Sequence, residues 1–509
     1  MMIKVILLVI FFAVMVAVGI YSRKHAMSVD GFVLGGRSVG PWLTAFAYGT
    51  SYFSAVVFVG YAGQFGWKYG LASTWIGIGN AVIGSLMAWV VLGRRTKVMT
   101  QYLNSKTMPD FFGSRYGSKP LKIAASAIVF VFLVPYTASI YNGLSRLFEM
   151  AFHIPYAWCV IGMAVFTGIY VILGGYMATA INDFIQGIIM LAGIIVVIAA
   201  VLNGQGGFLE GVGRMAEIPS DVEITLGQPG AFTSFFGPDP GNLLGVVILT
   251  SLGTWGLPQM IGKFYAIKDE KSINTGTVIS TVFAIVVSGG CYFLGGFARL
   301  FDAPAIYDEA GAVVYDSIIP HMLSALPDIL IGIVVVLVLS ASMSTLASLV
   351  LTSSSTLTLD FLKDNLLKEM SEKRQVRTMQ ALVIFFIAVS VFIALDPPTF
   401  IAQLMGISWG ALAGAFLAPF LYGLYWKGTT RAGVWASFIV GVGITVVNMF
   451  VPFIESSINA GAAAMVAGLI VVPVVSLITP KLSREKTDAI FSCYEEKVTI
   501  TKKRSLEQN

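Results

Sequence analysis

Apolar residues run in long stretches along this chain, at 3–22, 39–64, 70–93, 119–152, 156–174, 177–203, 242–266, 272–300, 325–360, 377–396, 398–426, 430–453 and 459–480, with polar connections between them. A helix needs about 20 apolar residues to cross a bilayer core, so the pattern predicts an all-α polytopic membrane protein with about 13 transmembrane helices. The stretch at 3–22 is too long for the apolar part of a secretory signal and has no small-residue cleavage site after it. It is expected to be a retained first span.

Two spans interrupt their own apolar pattern. The second contains Tyr48-Gly49-Thr50-Ser51-Tyr52-Phe53-Ser54, and the seventh contains Gly253-Thr254-Trp255-Gly256-Leu257-Pro258-Gln259. Pro258 removes an amide donor and Gly256 loosens the turn before it, so both spans are expected to be broken near mid-membrane. Five spans separate the two breaks, an odd offset, so they run through the membrane in opposite directions. Broken helices in opposed halves are the mark of inverted-repeat transporters. Gly and Pro also serve simple packing in membrane helices, which is the alternative for either break alone.

Composition agrees with lipid as the solvent. The 509 residues are 56% hydrophobic and only 12% charged, about half the charge of a soluble domain. The net charge of +5 is too small to suggest a nucleic-acid partner, and its placement matters more than its sign. With the N-terminus outside, one set of loops holds Arg23, Lys24, Arg37, Arg94, Arg95, Lys97, Lys268, Lys271, Lys363, Lys368, Lys373, Arg374, Arg377, Lys427 and Arg431. The alternate loops are acidic, with Asp302, Asp308, Glu309 and Asp316 in one of them. The positive-inside rule therefore predicts N-out and C-in. One transmembrane domain is expected over 1–480, followed by a cytoplasmic tail over 481–509. Cys159, Cys291 and Cys493 are far apart and form no metal or disulfide pattern.

The ninth span carries Ala341-Ser342-Met343-Ser344-Thr345-Leu346-Ala347-Ser348, in which Ser344 and Ser348 share one helical face. Hydroxyl and carbonyl oxygens are hard ligands suited to an alkali cation. Close helix packing is the other reading of such a run. Asp183, near the start of the sixth span, is either a functional intramembrane carboxylate or a group satisfied by interfacial water.

Taken in order along the chain, several motifs resemble the solute:sodium symporter family, which includes sodium/proline, sodium/pantothenate, sodium/glucose and monocarboxylate carriers. They are Phe32-Val33-Leu34-Gly35-Gly36-Arg37, Met108-Pro109-Asp110-Phe111 with Arg115-Tyr116, and Gly174-Gly175 ahead of Asp183. Ala341 to Leu346 and Leu424-Tyr425-Trp426-Lys427 through Arg431-Ala432-Gly433 complete the series. The resemblance covers essentially residues 3–480. It implies a LeuT-type five-plus-five inverted repeat with its core at 39–426, and alternating access around a central site. It also implies sodium on the carbonyls of Thr50, Phe53 and Ala341 and the hydroxyls of Ser344 and Thr345. A second sodium would fall on Asp183, Ser344 and Ser348, where Ala347 lacks the hydroxyl of members that have this site.

A solute wall is expected from Tyr48, Ser51, Tyr52, Asn80, Tyr136, Ser251, Thr254, Trp255, Gln259 and Gln403, which offer aromatic faces and neutral hydrogen-bonding groups. Thr250 and Thr254 stand where sodium/proline carriers resemble one another in having aromatic residues, which points away from proline. Asn80 lies where sugar carriers have a Glu. The stretch Ser51 to Ala55, with Gly60 and Lys68-Tyr69-Gly70, is similar to the pantothenate and monocarboxylate branch. The expected solute is therefore a small carboxylate or amino acid. Lys263 is expected to snorkel to the cytoplasmic surface, with attraction of an anion as the alternative.

The residues and the resemblance together imply sodium-coupled symport into the cell across the cell membrane, expected to be a bacterial inner membrane, by a protein expected not to be an enzyme. Its expected partners are a small-molecule solute, sodium and lipid, without a cofactor. A non-transporting solute sensor and a proton-coupled or facilitative carrier are the alternatives. The short tail argues against the sensor, and the absence of a titratable group on the ninth-span face argues against protons.

Overall fold

Long apolar runs become long helices in the computed structural model, which describes residues 2–367 and 369–495. Lys368 and the stretch 496–509 of the expected tail lie outside the described residues. The helices are α1 Met2–Ser22, α2 Pro41–Tyr52, α3 Val56–Tyr102, α4 Met108–Tyr116, α5 Lys119–Phe152, α6 Tyr156–Gly204, α7 Pro240–Leu252 and α8 Pro258–Ala266. They continue with α9 Glu270–Gly295, α10 Tyr315–Ser324, α11 Asp328–Leu362, α12 Glu372–Leu395, α13 Ile401–Tyr425, α14 Arg431–Phe450 and α15 Ser457–Ile478. Between the described residues only isolated β-bridges form, Val39 with Ile267 and Tyr307 with Val313.

Among the described residues, eleven helical runs are long and apolar enough to cross a membrane, against the expected 13 or so. The difference lies in α3 and α6, of 47 and 49 residues. Either would be about 70 Å long if straight, more than twice a bilayer core. Both are interrupted by a glycine in a conformation closed to other residues. Gly175 has φ 54° and ψ −148°, and a Cβ there would lie 3.0 Å from the Phe32 carbonyl oxygen. Gly70 has φ 58° and ψ −140°, with the Phe232 carbonyl oxygen 2.2 Å from a Cβ. Helical hydrogen bonding closes over these bends, so two short spans are continuous with their neighbours.

Burial identifies the centre of the bundle. The most apolar windows of α13 and α11 are 89% and 78% buried, whereas that of α1 is 28% buried. Around α11 pack α1, α5, α6 and α12, and α2 lies against α6, α9 and α11. The carboxyl-terminal helices α14 and α15 pack on α13.

Basic loops converge on one face. Lys106 pairs with Asp30 at 2.8 Å, and Arg37 donates to the carbonyl oxygens of Ser105 and Tyr265. The motifs around Arg115 and Arg431 cap each other's helices. Arg115 Nε donates to Gly423 O at the end of α13, while Arg431 donates to Tyr116 O and Gly117 O at the end of α4. A guanidinium fork satisfies carbonyls left over at a helix end and complements its negative pole.

Candidate ion and solute site

Helix α2 stops where the sequence predicts. Phe53 turns extended, at φ −96° and ψ 121°, and the helix resumes at Val56. The break frees backbone groups, and α11 supplies hydroxyls to meet them. Ala55 N donates to Ser342 Oγ at 3.2 Å. Thr345 Oγ lies 3.1 Å from Thr50 O, 3.2 Å from Phe53 O and 3.1 Å from Ala341 O. A hydroxyl has one proton to donate, so it serves at most one of the three carbonyls at a time. Four oxygens thus face one another with little positive charge between them, in fully buried surroundings. Hard oxygen donors of low charge are what a monovalent cation requires. Ser344 Oγ is buried without a hydrogen bond of ordinary geometry, and its neighbour is the Asp183 carboxyl.

Asp183 is fully buried on α6 rather than held at a wet interface, and Lys263 of α8 is its counter-charge. The lysine does not snorkel. Its side chain is 3% exposed, with Nζ 3.7 Å from Asp183 Oδ2, 3.0 Å from Ser348 Oγ and 5.2 Å from the centre of the Tyr176 ring. The reason is length. As a half-helix that starts at the break, α8 carries Lys263 only about 8 Å from mid-membrane, at 1.5 Å per residue. Ser51, expected on the solute wall, instead shares a hydrogen bond of 2.8 Å with Ser348 and so joins this group.

The second break is a tight turn over Gly253–Trp255 followed by extended Leu257, with Pro258 in the first turn of α8, where its missing amide costs nothing. Its polar groups bind α3. Thr254 Oγ and Tyr48 OH both donate to Gly84 O, at 3.0 and 2.7 Å, and Trp255 Nε1 donates to Ile83 O at 2.9 Å. Ser251 Oγ donates to Asn80 Oδ1, and Asn80 Nδ2 donates to Ser288 Oγ. Tyr48, Asn80, Ser251, Thr254 and Trp255 are therefore brought together between α2, α3 and the second break. Tyr52 and Tyr136 meet across Trp409, whose ring is 5.9 Å from each of theirs. The hydroxyls of Tyr52 and Tyr136 and the Trp409 indole N–H are buried without hydrogen bonds of ordinary geometry.

Besides Ser51, two expected wall residues lie elsewhere. Gln259 lines a narrow cavity of about 40 Å³ towards the basic face, together with Lys106, Lys263 and Ser348. Gln403 accepts the Thr399 hydroxyl and lines a polar cleft of about 330 Å³ at the opposite face, with Gln64, Lys68, Asp239 and Glu455. Trp409 and Ser288 escaped the sequence reading. For Trp409 there was a usable signal, since it sits nine residues into α13, whereas interfacial Trp belongs near span ends.

Paired broken helices, a carbonyl and hydroxyl cluster where one break meets α11, and a buried aromatic wall define a membrane transporter with discontinuous helices. The same fold occurs in a Na+-coupled sialic acid symporter solved in its substrate-bound, outward-open state, at a TM-score of 0.76 and 14% identity, over 95% of this chain and 99% of that one. A mutant manganese transporter of Eremococcus coleocola aligns less well, at a TM-score of 0.50 over 86% of this chain and 94% of its own. A sodium/proline symporter of Staphylococcus aureus is 30% identical over 501 residues, which is 94% of this chain and 93% of the relative. The model of the sodium:solute symporter family matches residues 32–441. The chain belongs to the sodium:solute symporter family.

Proposed function

We propose that this protein couples sodium entry to uptake of a small carboxylate-bearing solute, of the amino acid or monocarboxylate type, with proline the first to test. The convergence of Thr50 O, Phe53 O and Ala341 O on Thr345 Oγ carries this reading. Sodium held there would tie the α2 break to α11, and solute against Tyr52, Tyr136 and Trp409 would lie beside the same break. Each ligand would then favour the conformation that binds the other, which is all that coupling requires. With the N-terminus outside, the membrane potential adds ~2.3 kcal/mol per sodium per 100 mV.

The wall supports a small, compact solute, because it offers aromatic faces and neutral hydrogen-bonding groups. The sodium/proline symporters among the relatives favour proline as the first candidate, although Thr250 precedes the second break and Thr254 lies within it. Purified protein in liposomes, given an inward sodium gradient, should accumulate labelled proline or another member of a panel of amino acids and monocarboxylates. Accumulation that persists when choline replaces sodium would refute the coupling. Uptake of sugars alone would refute the solute class.

A further inference from the structure

The ion pair between α6 and α8 bears on how many sodium ions the protein carries, and the inference rests on the sodium-coupled reading above. Asp183 is fully buried, and an ionised carboxylate at that depth requires a compensating cation. The Ser344 hydroxyl is its neighbour and the Ser348 hydroxyl lies on the other side of Lys263, while residue 347 is an alanine that contributes no oxygen. One buried ammonium stands among these oxygens. Lys263 Nζ donates to Ser348 Oγ at 3.0 Å yet stands 3.7 Å from Asp183 Oδ2. Charge-assisted N–H···O bonds normally measure about 2.7–2.9 Å, so the ammonium is shared between the hydroxyl and the carboxylate. Tyr176 closes the pocket with its ring face. The Ser348 hydroxyl also contacts Ser51, one residue from Thr50, whose carbonyl belongs to the Thr345 cluster.

We propose that Lys263 is a tethered cation that fills the Asp183, Ser344 and Ser348 pocket in place of a metal ion, leaving the Thr345 cluster as the single exchangeable sodium site. A tethered charge cannot leave with the solute. Each cycle then moves one sodium, and the Lys263 charge returns with α8. The pocket keeps its cation demand, so removing the ammonium should convert it into a second sodium site.

Binding of radioactive sodium to the purified protein tests this without transport. Wild type should bind one ion per chain, Lys263→Met two, and Asp183→Asn combined with Lys263→Met one again. In the Lys263→Met background, Thr345→Ala should return the count to one. A wild-type count of two overturns the proposal, as does a count of one for Lys263→Met. If Lys263→Met fails to fold in sodium-rich buffer while the double variant folds, sodium cannot replace the ammonium, and the proposal fails equally. A wild type that binds no sodium instead sinks the coupled reading of the Thr345 cluster, so the two failures are told apart.

Discussion

Thr345 Oγ lies 3.1 Å from the carbonyl oxygen of Thr50, nearly 300 residues away in sequence, and the same hydroxyl reaches Phe53 O across the α2 break. This contact joins the broken helix to the Ser342–Ser348 hydroxyl run of α11. A single proton cannot satisfy that many carbonyls, so the junction is better served by a cation than by the protein alone.

Removing one oxygen from that junction should weaken sodium and leave the fold. Thr345→Ala should raise the sodium concentration for half-maximal stabilisation by about 10–100-fold, equivalent to ~1.4–2.8 kcal/mol. Thr345→Ser, which keeps the hydroxyl, should stay within a few-fold of wild type. Titrating sodium against melting temperature decides it, and equal titrations for Ala and wild type would remove Thr345 from the ion site.

Trp409 should act on solute and not on sodium. Its ring is 5.9 Å from both Tyr52 and Tyr136, and a Cβ added at Gly253 would lie 2.7 Å from its edge. Trp409→Ala and Gly253→Ala should each weaken solute binding by tenfold or more, with sodium stabilisation retained. Parallel loss of both ligands in calorimetric titrations would mean that the wall is structural.

At the basic face, Lys122 Nζ lies 2.7, 3.3 and 2.8 Å from carboxylate oxygens of Asp110, Asp360 and Asp364. Asp360 is buried and also accepts the Thr107 hydroxyl. Lys122→Ala leaves a buried carboxylate without its cation, which costs about 3–5 kcal/mol. Its melting temperature should fall by several degrees, and adding Asp360→Asn should restore most of the loss. No recovery in the double variant would show that Lys122 acts through packing.

Asp316 of α10 caps α13 by accepting the Ile401 amide at 3.2 Å. Burial pushes its carboxyl up to about 6, opposed by that amide and by the charge of Arg146. Its folded value lies above the ~3.9 of an unfolded chain. The stability it contributes is therefore full below about pH 4 and is lost as pH rises towards 6. Asp316→Asn keeps an acceptor and should remove this loss, so its stability relative to wild type should rise by roughly 1–3 kcal/mol between pH 4 and 7. Parallel pH profiles would show that Asp316 does not titrate in this range.

Local chemistry made much of this legible in the sequence. Gly and Pro within apolar runs located both breaks, and the bend between the fifth and sixth spans falls at Gly175, inside the expected gap at 175–176. The hydroxyl run of the ninth span contained Thr345. Side-chain depth was not legible. Lys263 looked like a helix-end residue because it lies close to the end of its apolar run at 266, while its partners Asp183 and Ser348 come from other helices, and Ser51 and Tyr52, adjacent in sequence, face different partners. Only its mid-span position marked Trp409, because its partners Tyr52 and Tyr136 come from two other helices.

Thermal stabilisation of the purified protein by amino acids, carboxylates and sugars, each in sodium and in choline, tests the central claim most directly. The account predicts that a small carboxylate-bearing solute raises the melting temperature only in sodium, and that Thr345→Ala abolishes the shift at moderate sodium concentrations. An equal shift in choline would contradict it, because the solute would then bind without the ion said to hold its site together.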